Sequence, residues 1–287
     1  MAVDSRSPRK GTQSAAGYVY VLISAICFAL AGVLIKSIDW NALSISGARS
    51  ILAAGVLYAF LRVQGKRLVL NGPTAIGALI NFAMLQTFVI SNKLTTAANA
   101  IVLQFTMPVW LILIMWVFMH ERPRRAAIAA CAVIVAGIVC FFFDDLTPDG
   151  LLGNVIAIVS GIAYAGVFLL KRMPGCDFES AAFLSFLACA VCGVPTLLQE
   201  TDFAVTTLLA VVVLGVVQVG CAYIFLSMGL DRVSPVAAAL LSTIEPILNP
   251  IIVAIVIGET IGPLSLFGAV LVIGGATVYN VYDAKTG

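Results

Sequence analysis

Residues 17 to 36, GYVYVLISAICFALAGVLIK, and residues 153 to 172, GNVIAIVSGIAYAGVFLLKR, are two versions of one apolar segment. Each copy has the length of about 20 residues that a helix needs to cross a bilayer core of about 30 Å. The chain is therefore predicted to be a duplicated membrane protein. The matching positions are Gly17 with Gly153, Val19 with Val155, Ser24 with Ser160, Phe28 with Tyr164, Ala29 with Ala165 and Leu34 with Leu170.

A second pair of repeated stretches lies at nearly the same offset. Residues 105 to 121 read FTMPVWLILIMWVFMHE, and residues 243 to 259 read TIEPILNPIIVAIVIGE. In each stretch a proline, Pro108 or Pro246, is followed by an apolar run that ends in a glutamate. Internal repeats of this kind are typical of secondary transporters, in which two related halves build one central site.

The composition places the chain in a membrane and argues against several other classes of protein. Hydrophobic residues make up 61% of the chain and charged residues 10%, whereas a soluble domain has about 25% charged residues. The net charge of +2 is too small to favour a nucleic-acid partner. Nearly all of the seven cysteines fall inside apolar runs without metal-site spacing. Cys189 and Cys192 form a CxxC, but in an apolar helix with no strand beside it, so packing is favoured over a redox role, and no cofactor or metal is expected.

Charges, glycines and prolines divide the chain into apolar stretches long enough to span a membrane. The expected fold is all-α, with ten transmembrane helices arranged as two five-helix repeats around a central cavity. The first repeat covers 17–144 and the second 151–282, with tails at 1–16 and 283–287. The ten stretches are 17–37, 43–62, 73–92, 96–119, 124–143, 151–171, 178–199, 204–230, 234–257 and 262–282.

Basic residues fall almost entirely in alternate connections, which predicts the orientation of the chain. Only Lys36 and Lys93 lie on the opposite side, so the positive-inside rule places both termini in the cytoplasm. Five spans per repeat is an odd number, so the two copies enter the membrane from opposite sides. Inverted repeats of this kind underlie alternating access. The basic residues that share one side are Arg6, Arg9, Lys10, Arg62, Lys66, Arg67, Arg122, Arg124, Arg125, Lys171, Arg172, Arg232 and Lys285.

Glu245 is the one acidic residue deep inside an apolar stretch, about 20 Å along the helix from the charged residues on either side. A charge at that depth costs about 2.5–3.5 kcal/mol, so Glu245 must face a cavity, have a partner or be protonated. Helical spacing places Ser242 and Asn249 on the same face. Pro246 and Pro250 cannot donate backbone hydrogen bonds, and a helix broken there is tolerated mainly beside a cavity.

Other polar and aromatic side chains are candidates for the same cavity. The polar ones are distributed over both halves, although each could instead bond its own helix or a neighbouring one. Aromatic side chains could form walls for a ring-bearing or cationic substrate, but they could also pack or face lipid. The further candidates for substrate binding are Gln104, Ser24, Ser160, Tyr164, Asn81, Gln218 and Tyr223, with Pro108, Pro246 and Pro250 as helix breaks.

Arg49 is the only deep cation of the second stretch, about 12 Å inside it. Two interpretations remain open for it. Its guanidinium could receive a carboxylate group, or its long side chain could extend to the membrane interface.

The two proline-containing stretches, the ten spans and the inverted halves resemble the drug/metabolite transporter superfamily, specifically its EamA-type members. The resemblance covers nearly the whole chain and implies a bacterial inner-membrane carrier with cytoplasmic termini and a cavity built from both halves. It implies export of amino acids, amines, nucleosides or drugs, with exporters of aromatic amino acids among the similar proteins. His120 departs from the pattern, because a small residue is expected before Glu121.

The predicted function is a secondary transporter of small metabolites, amino acids or amines above all, that works by alternating access and is not an enzyme. Its expected partners are the substrate, the lipid bilayer and a coupling proton at Glu245. The alternatives are a multidrug or cation exporter of the same fold and a channel. An intramembrane enzyme is disfavoured, because no second acid lies near Glu245 and the His120-Glu121 pair lacks the second histidine of a zinc site.

Overall fold

The computed structural model of the protein describes residues 15–120, 125–144, 148–233, 235–258 and 262–286. All regular structure in these ranges is helical. Glu121, Glu259 and most of the tail 1–16 lie outside them. The helices are α1 (Ala15–Lys36), α2 (Ala42–Val63), α3 (Gly72–Leu94), α4 (Ala97–Met119), α5 (Arg125–Asp144), α6 (Pro148–Leu169), α7 (Phe178–Leu197), α8 (Val205–Leu230), α9 (235–257) and α10 (Pro263–Thr286).

Seven of these helices are long and apolar enough to cross a membrane within the part of the chain that the structure describes, namely α1 to α4 and α6 to α8. The protein is therefore a multi-pass membrane protein. In α5 and α10 the apolar helical runs are shorter, Ile128–Gly137 and Leu266–Gly275. For these two helices and for α9, a full crossing stays a prediction.

Local sequence explains where several helices begin. The side chains of Asn41 and Asn71 accept hydrogen bonds from the backbone N–H of Leu43 and Thr74, at the first turns of α2 and α3. Asp177 caps α7 in the same way, accepting from the N–H of Ser180 at 2.8 Å. Such caps satisfy backbone donors that have no partner within the helix.

Within the described ranges, three helices are interrupted by turns or a 3₁₀ segment, and two of the interruptions lie at the repeated prolines. In α4 the helix ends at Gln104 and restarts at Met107, with Pro108 in its new first turn. In α9 a 3₁₀ turn, Ser242–Ile244, precedes the segment that contains Pro246. The predicted helix breaks thus lie just before these prolines, whose missing N–H removes one hydrogen bond of the ladder. The third interruption, at residues 29–30 of α1, involves no proline.

The packing of the helices is the same when the two halves are exchanged. Helix α1 packs against α8 and α9, and α6 packs against α3 and α4. Helix α2 lies against α7, and α5 lies against α10. The members of each of these pairs are equivalent helices of the two halves, so exchanging the halves leaves the pair unchanged. Such a pattern is what two halves related by a two-fold axis produce. It supports the duplication read from the sequence.

Equivalent hydrogen bonds join the halves in both directions. The hydroxyl of Ser24 in α1 donates to the carbonyl oxygen of Ala222 in α8 at 2.8 Å. The hydroxyl of Ser160 in α6 donates to the carbonyl oxygen of Met84 in α3 at 3.2 Å. Met84 and Ala222 stand at the offset that relates the two proline-containing stretches. Both serines therefore have the same structural role in their two halves.

Close helix contacts are also repeated. A Cβ added to Gly17 would lie 2.6 Å from the Cβ of Arg232, and one added to Gly153 would lie 2.8 Å from the backbone of Leu94. Leu94 and Arg232 are related by the same offset as the prolines. Small residues at these crossings allow the backbones to approach closely, as is common between membrane helices.

The backbone conformation at the ends of α4 and α9 shows why a small residue is expected before Glu121. His120 ends α4 with a backbone φ of 57°, and Gly258 follows α9 with a φ of 75°. The two positions correspond in the repeat. A left-handed residue after a helix is most easily a glycine, which has no Cβ. The second half follows this preference, whereas the first half places a histidine in the less favourable conformation.

An ionic cluster ties four parts of the chain together at one end of the bundle, which the positive-inside rule predicts to be cytoplasmic. The carboxylate of Glu179, at the start of α7, is 3% exposed. It accepts hydrogen bonds from Lys66 at 2.9 Å, Lys171 at 3.4 Å and Ser227 at 2.8 Å. Lys171 also pairs with Asp231 at 2.9 Å. Partial burial lowers the pKa of Lys66, but the hydrogen bond and charge of Glu179 raise it above its usual value.

Glu179→Gln is expected to destabilise the protein more than Asp231→Asn. The glutamate is buried among two cations, so loss of its charge should cost about 1.5–3 kcal/mol. The Asp231 side chain is 49% exposed, so its pair with Lys171 is screened and should contribute under about 1 kcal/mol. Thermal unfolding of both variants in detergent measures the difference. Equal unfolding temperatures for the two variants would contradict the assignment of Glu179 as the centre of the cluster.

Candidate functional site

A small polar cavity lies where the two halves meet. Helices α1 to α4 contribute residues from the first half, and α6, α8 and α9 contribute residues from the second. The walls carry one cation, one carboxyl, two amides and several apolar groups. The lining residues are Phe28, Arg49, Met84, Leu85, Phe88, Gln104, Tyr164, Gln218, Val219 and Glu245.

The cavity is closed in this conformation. Its volume is about 20 Å³, which is room for one water molecule but not for a metabolite. Two larger crevices, of about 410 and 530 Å³, have almost entirely apolar walls between α5 and α10 and between α3, α4 and α6. Apolar crevices on a membrane protein are suited to lipid chains. Of these three spaces, the small central cavity alone brings together ionisable groups from both halves.

Arg49 is buried beside this cavity, with 1% of its surface exposed. Its Nη1 donates to Oε1 of Gln218 and its Nη2 donates to the carbonyl oxygen of Leu85, both at 3.3 Å. Its Nε has no hydrogen-bond partner. Of the two interpretations left open by the sequence, extension to the interface is excluded by this position. In the part of the chain that the structure describes, the guanidinium is held by neutral acceptors only.

Glu245 borders the same cavity at the start of the second segment of α9, and 3% of its surface is exposed. Its Oε2 has no hydrogen-bond partner. Among the residues that the structure describes, no cationic nitrogen lies within 4.0 Å of this carboxyl. Arg49 and Glu245 therefore share one cavity without touching each other.

The local structure of α8 places Gln218 next to Arg49. Residues Val213–Cys221 form a π-helical stretch, which is rare and is often found at functional sites. Gly215 and Gly220 lie on the side of this stretch that packs against α2, where an added Cβ would come within 3.0 Å of Leu52 or Val56. The wider turn and the close contact bring the Gln218 amide to the guanidinium of α2.

Gln104 ends the first segment of α4 and contacts α6 across the cavity. Its Nε2 donates to the hydroxyl of Ser160 at 2.8 Å, and Ser160 donates in turn to Met84. The backbone of Gln104 lies close to α6, because a Cβ on Gly161 would be 2.7 Å from its carbonyl oxygen. The interruption of α4 is thus stabilised by α6, with Gln104 at the cavity wall and Ser160 behind it.

Asn81 and Tyr223 form a second polar pair beneath the cavity. The Tyr223 hydroxyl donates to Oδ1 of Asn81, whose Nδ2 donates to the hydroxyl of Ser185 at 2.6 Å. Tyr223 also packs edge-on against Phe28 and Phe186, with ring centroids 5.7 and 5.1 Å apart. Since neither Asn81 nor Tyr223 lines the cavity, this chain joins α3, α7 and α8 behind its wall.

Of the predicted polar face of α9, only Glu245 reaches the cavity. Ser242 donates to the carbonyl oxygen of Ala238 in its own helix at 2.9 Å. Asn249 donates to the carbonyl oxygen of Ala29 at 3.0 Å, beside the interruption of α1. Both side chains are thus held by backbone carbonyls, one in α9 and one in α1, and neither lines the cavity.

The predicted site residues therefore separate into two groups. Glu245, Gln104, Tyr164 and Gln218 line the cavity. Ser24, Ser160, Asn81, Tyr223 and Asn249 are buried and bonded to neighbouring helices, and Ser242 is buried and bonded to its own helix. Pro108 and Pro246 directly follow helix interruptions, whereas the helix continues through Pro250, which is therefore not a break.

Sequence reasoning missed part of the wall. Met84, Leu85 and Phe88 in α3 and Val219 in α8 were not singled out, because apolar residues inside a membrane helix carry no distinguishing signal. The sequence does contain one signal for the π-helical stretch, because Gly215 and Gly220 lie five residues apart on either side of Gln218.

Comparison with known proteins decides the family. The model of the EamA-like transporter family matches residues 15–143 and again residues 151–281. The chain belongs to the EamA-like transporter family. The two matched segments correspond to the two halves whose helices pack in equivalent ways, so an EamA segment occurs twice in this transporter.

The relatives of this EamA-like chain are also described as transporters. An uncharacterized transporter of Archaeoglobus fulgidus is 26% identical over 267 residues, which cover 91% of this chain and 95% of that protein. The uncharacterized transporter YwfM of Bacillus subtilis is 26% identical over 176 residues, covering 59% and 60% of the two chains. A solved crystal structure with 19% identity superposes with a TM-score of 0.73 over 94% of this chain, which shows a shared fold.

Gly32→Ala is expected to disturb the junction of α1 and α9. An added Cβ would lie 2.4 Å from Oδ1 of Asn249, so the amide must move and its bond to Ala29 would be lost, at a cost of about 1–3 kcal/mol. Asn249→Ala in the same chain removes the clash, so the double variant should be less destabilised than the sum of the single variants.

The matched control for Gly32→Ala is Gly55→Ala in α2, where an added Cβ meets nothing within 4 Å. That substitution should leave the unfolding temperature unchanged or raise it slightly, since alanine favours helix. Thermal unfolding of the four proteins in detergent tests the pair. Strictly additive effects of Gly32→Ala and Asn249→Ala would show that the close contact does not matter.

Proposed function

We propose that the protein is a secondary transporter that moves amino acids or amines across a bacterial inner membrane by alternating access. The two halves, 17–144 and 151–282, are inverted with respect to each other, and both termini lie in the cytoplasm. The single observation that carries this proposal is the central cavity, which places Glu245 of one half and Arg49 of the other beside one closed space.

The closed cavity supports a carrier rather than a continuously open pore. With about 20 Å³ of space it cannot hold a metabolite unless the halves move apart. The walls come from helices of both halves, so a rocking motion of one half against the other would enlarge the cavity toward one side at a time. The direction implied by the family resemblance is export.

The interruptions of α4 and α9 give the halves places where they can bend. Each lies at the cavity wall, next to Gln104 in α4 and Glu245 in α9. Broken helices leave backbone groups that neighbouring segments must satisfy, so their hydrogen bonds can be exchanged when packing changes. The ionic cluster around Glu179 closes one end of the bundle and would have to open in the conformation that faces that side.

Glu245 is proposed to bind the ammonium group of the substrate or a coupling proton. A carboxyl buried without a cationic partner is unfavourable in its charged form, so a cation or a proton stabilises it. Competition between the two would couple substrate movement to the proton gradient. Gln104 and Gln218 at the same wall could orient the ligand through their amides.

A multidrug or cation exporter of the same fold is the second candidate. The aromatic rings of Phe28, Phe88 and Tyr164 at the cavity suit an organic cation, which Glu245 would attract. The presence of Arg49 at the same cavity disfavours it, since a buried cation repels a cationic ligand.

Purified protein in liposomes should show saturable, trans-stimulated exchange of its substrate. Vesicles loaded with an unlabelled amino acid or amine should take up the labelled compound faster than empty vesicles. The reason is that the binding site of a carrier reorients across the membrane faster with substrate bound than when it is empty. A screen of amino acids, amines and nucleosides by thermal shift would select the compounds. Flux that rises linearly with concentration and shows no trans-stimulation would indicate a channel instead.

Glu245→Gln is expected to abolish the response of transport to an imposed pH gradient. The amide has similar size but cannot bind a proton, so uptake driven by the gradient should fall at least about tenfold, which corresponds to about 1.4 kcal/mol. The control is Glu200→Gln, which makes the same change at the end of the bundle, where Glu200 accepts from the N–H of Asn41. An unchanged rate and pH profile for Glu245→Gln would remove this carboxyl from the mechanism.

A further inference from the structure

The cavity contains a buried cation without an anionic partner. Within the described residues, no carboxylate oxygen lies within 4.0 Å of the Arg49 guanidinium, and its two hydrogen bonds go to the neutral oxygens of Gln218 and Leu85. Both bonds are long at 3.3 Å, and Nε makes none. The guanidinium thus has donors available for an anion.

Such an arrangement is costly for folding. A buried ion without a partner is far less stable than a neutral group of similar size, because its solvation is lost without compensation. Glu245 at the same cavity is similarly placed, because its Oε2 also has no hydrogen-bond partner. A direct pair between the two would lower this cost, but the fold holds them apart.

The other half of the protein shows that the fold does not require either charge. At the offset that pairs Gly17 with Gly153, the counterpart of Arg49 is Ser185, and Glu245 corresponds to Met107 at the offset of the prolines. Ser185 and Met107 are fully buried in their own helices and are neutral. Two halves that pack in equivalent ways therefore differ at the two positions that carry charge.

We propose that Arg49 binds the carboxylate of the substrate while Glu245 binds its ammonium group, so that the transported compounds are zwitterionic α-amino acids rather than amines. This assignment rests on the proposed transport function and narrows its substrate class. The planar guanidinium offers parallel donors that match a carboxylate, whereas Glu245 offers acceptors that match an ammonium group. One ligand that bridges both groups neutralises both buried charges at once.

The requirement for both charges also gives the ligand a role in the movement. Before binding, Arg49 of the first half and Glu245 of the second half have no ionic partner among the described residues at their interface. A bound zwitterion connects α2 of the first half with α9 of the second, and this stabilises the occluded arrangement that must form before the cavity can open to the other side. A compound that lacks either charge would leave one of the two groups unpaired.

The experiment uses the full-length protein in liposomes and two series of three compounds. One series is L-phenylalanine, phenethylamine and 3-phenylpropanoate, and the other is L-leucine, 3-methylbutylamine and 4-methylpentanoate. In each series the side chain is constant, and either the carboxylate or the ammonium group is absent from the second and third compounds. Exchange is measured by the ability of each compound inside the vesicles to accelerate uptake of the labelled compound.

Wild-type protein should exchange the amino acid of at least one series and exchange the matching amine and acid about 10- to 100-fold less well, as expected for the loss of one charge-assisted hydrogen bond. Arg49→Gln should lose amino-acid exchange by a similar factor while the ratio of amine to amino-acid exchange rises. Arg49→Lys should recover part of the amino-acid exchange, because it keeps the charge but not the paired donors.

Protein quality is controlled by size-exclusion profile and unfolding temperature, and retained exchange of the amine by Arg49→Gln shows that this variant is folded. Amino-acid exchange by Arg49→Gln at the wild-type level would overturn the assignment while leaving a carrier. Wild-type exchange of the amine or the deaminated acid as good as that of the amino acid would do the same. Absence of exchange for all six compounds would overturn the proposed amino-acid or amine transport itself.

Discussion

Ionisable groups inside a membrane protein have no water to solvate them, and the arrangement of Arg49 and Glu245 follows from that constraint. Each is almost fully buried, each has a polar atom without a partner, and each comes from a different half of the chain. The other residues that line the cavity are neutral. Interrupted helices, the π stretch of α8 and the amides of Gln104 and Gln218 all surround the point where these charges face one cavity.

The duplication explains how two copies of one five-helix unit can form such a site between them. Ser24 and Ser160 make equivalent bonds between helices, and Gly17 and Gly153 allow equivalent close contacts, so the scaffold is shared by both halves. The two halves differ in charge at Arg49 and Glu245, whose counterparts in the other half, Ser185 and Met107, are neutral. A symmetric framework permits two related conformations, whereas an asymmetric lining lets the site bind a ligand with two different ends.

Much of the fold could be predicted from the sequence, because apolar length, helix breaks at prolines and internal repetition act locally along the chain. Glu245 could be predicted as a cavity residue because a carboxyl in an apolar helix has few other positions. The roles of Ser242 and Asn249 could not, since they bond the backbone carbonyls of Ala238 and Ala29, and the second of these contacts depends on how α9 packs against α1. The location of Arg49 depended on the packing of α2 against α8, which no local pattern reveals.

Labelling of the cavity from the two sides of the membrane tests the central claim most directly. In a variant whose seven native cysteines are replaced, a single cysteine at position 218 would react with a membrane-impermeant thiol reagent only when the cavity opens. The account predicts reaction from either side of oriented vesicles, with bound substrate changing the balance between the two. Reaction from one side only under all conditions, or with lipid-soluble reagents alone, would contradict it.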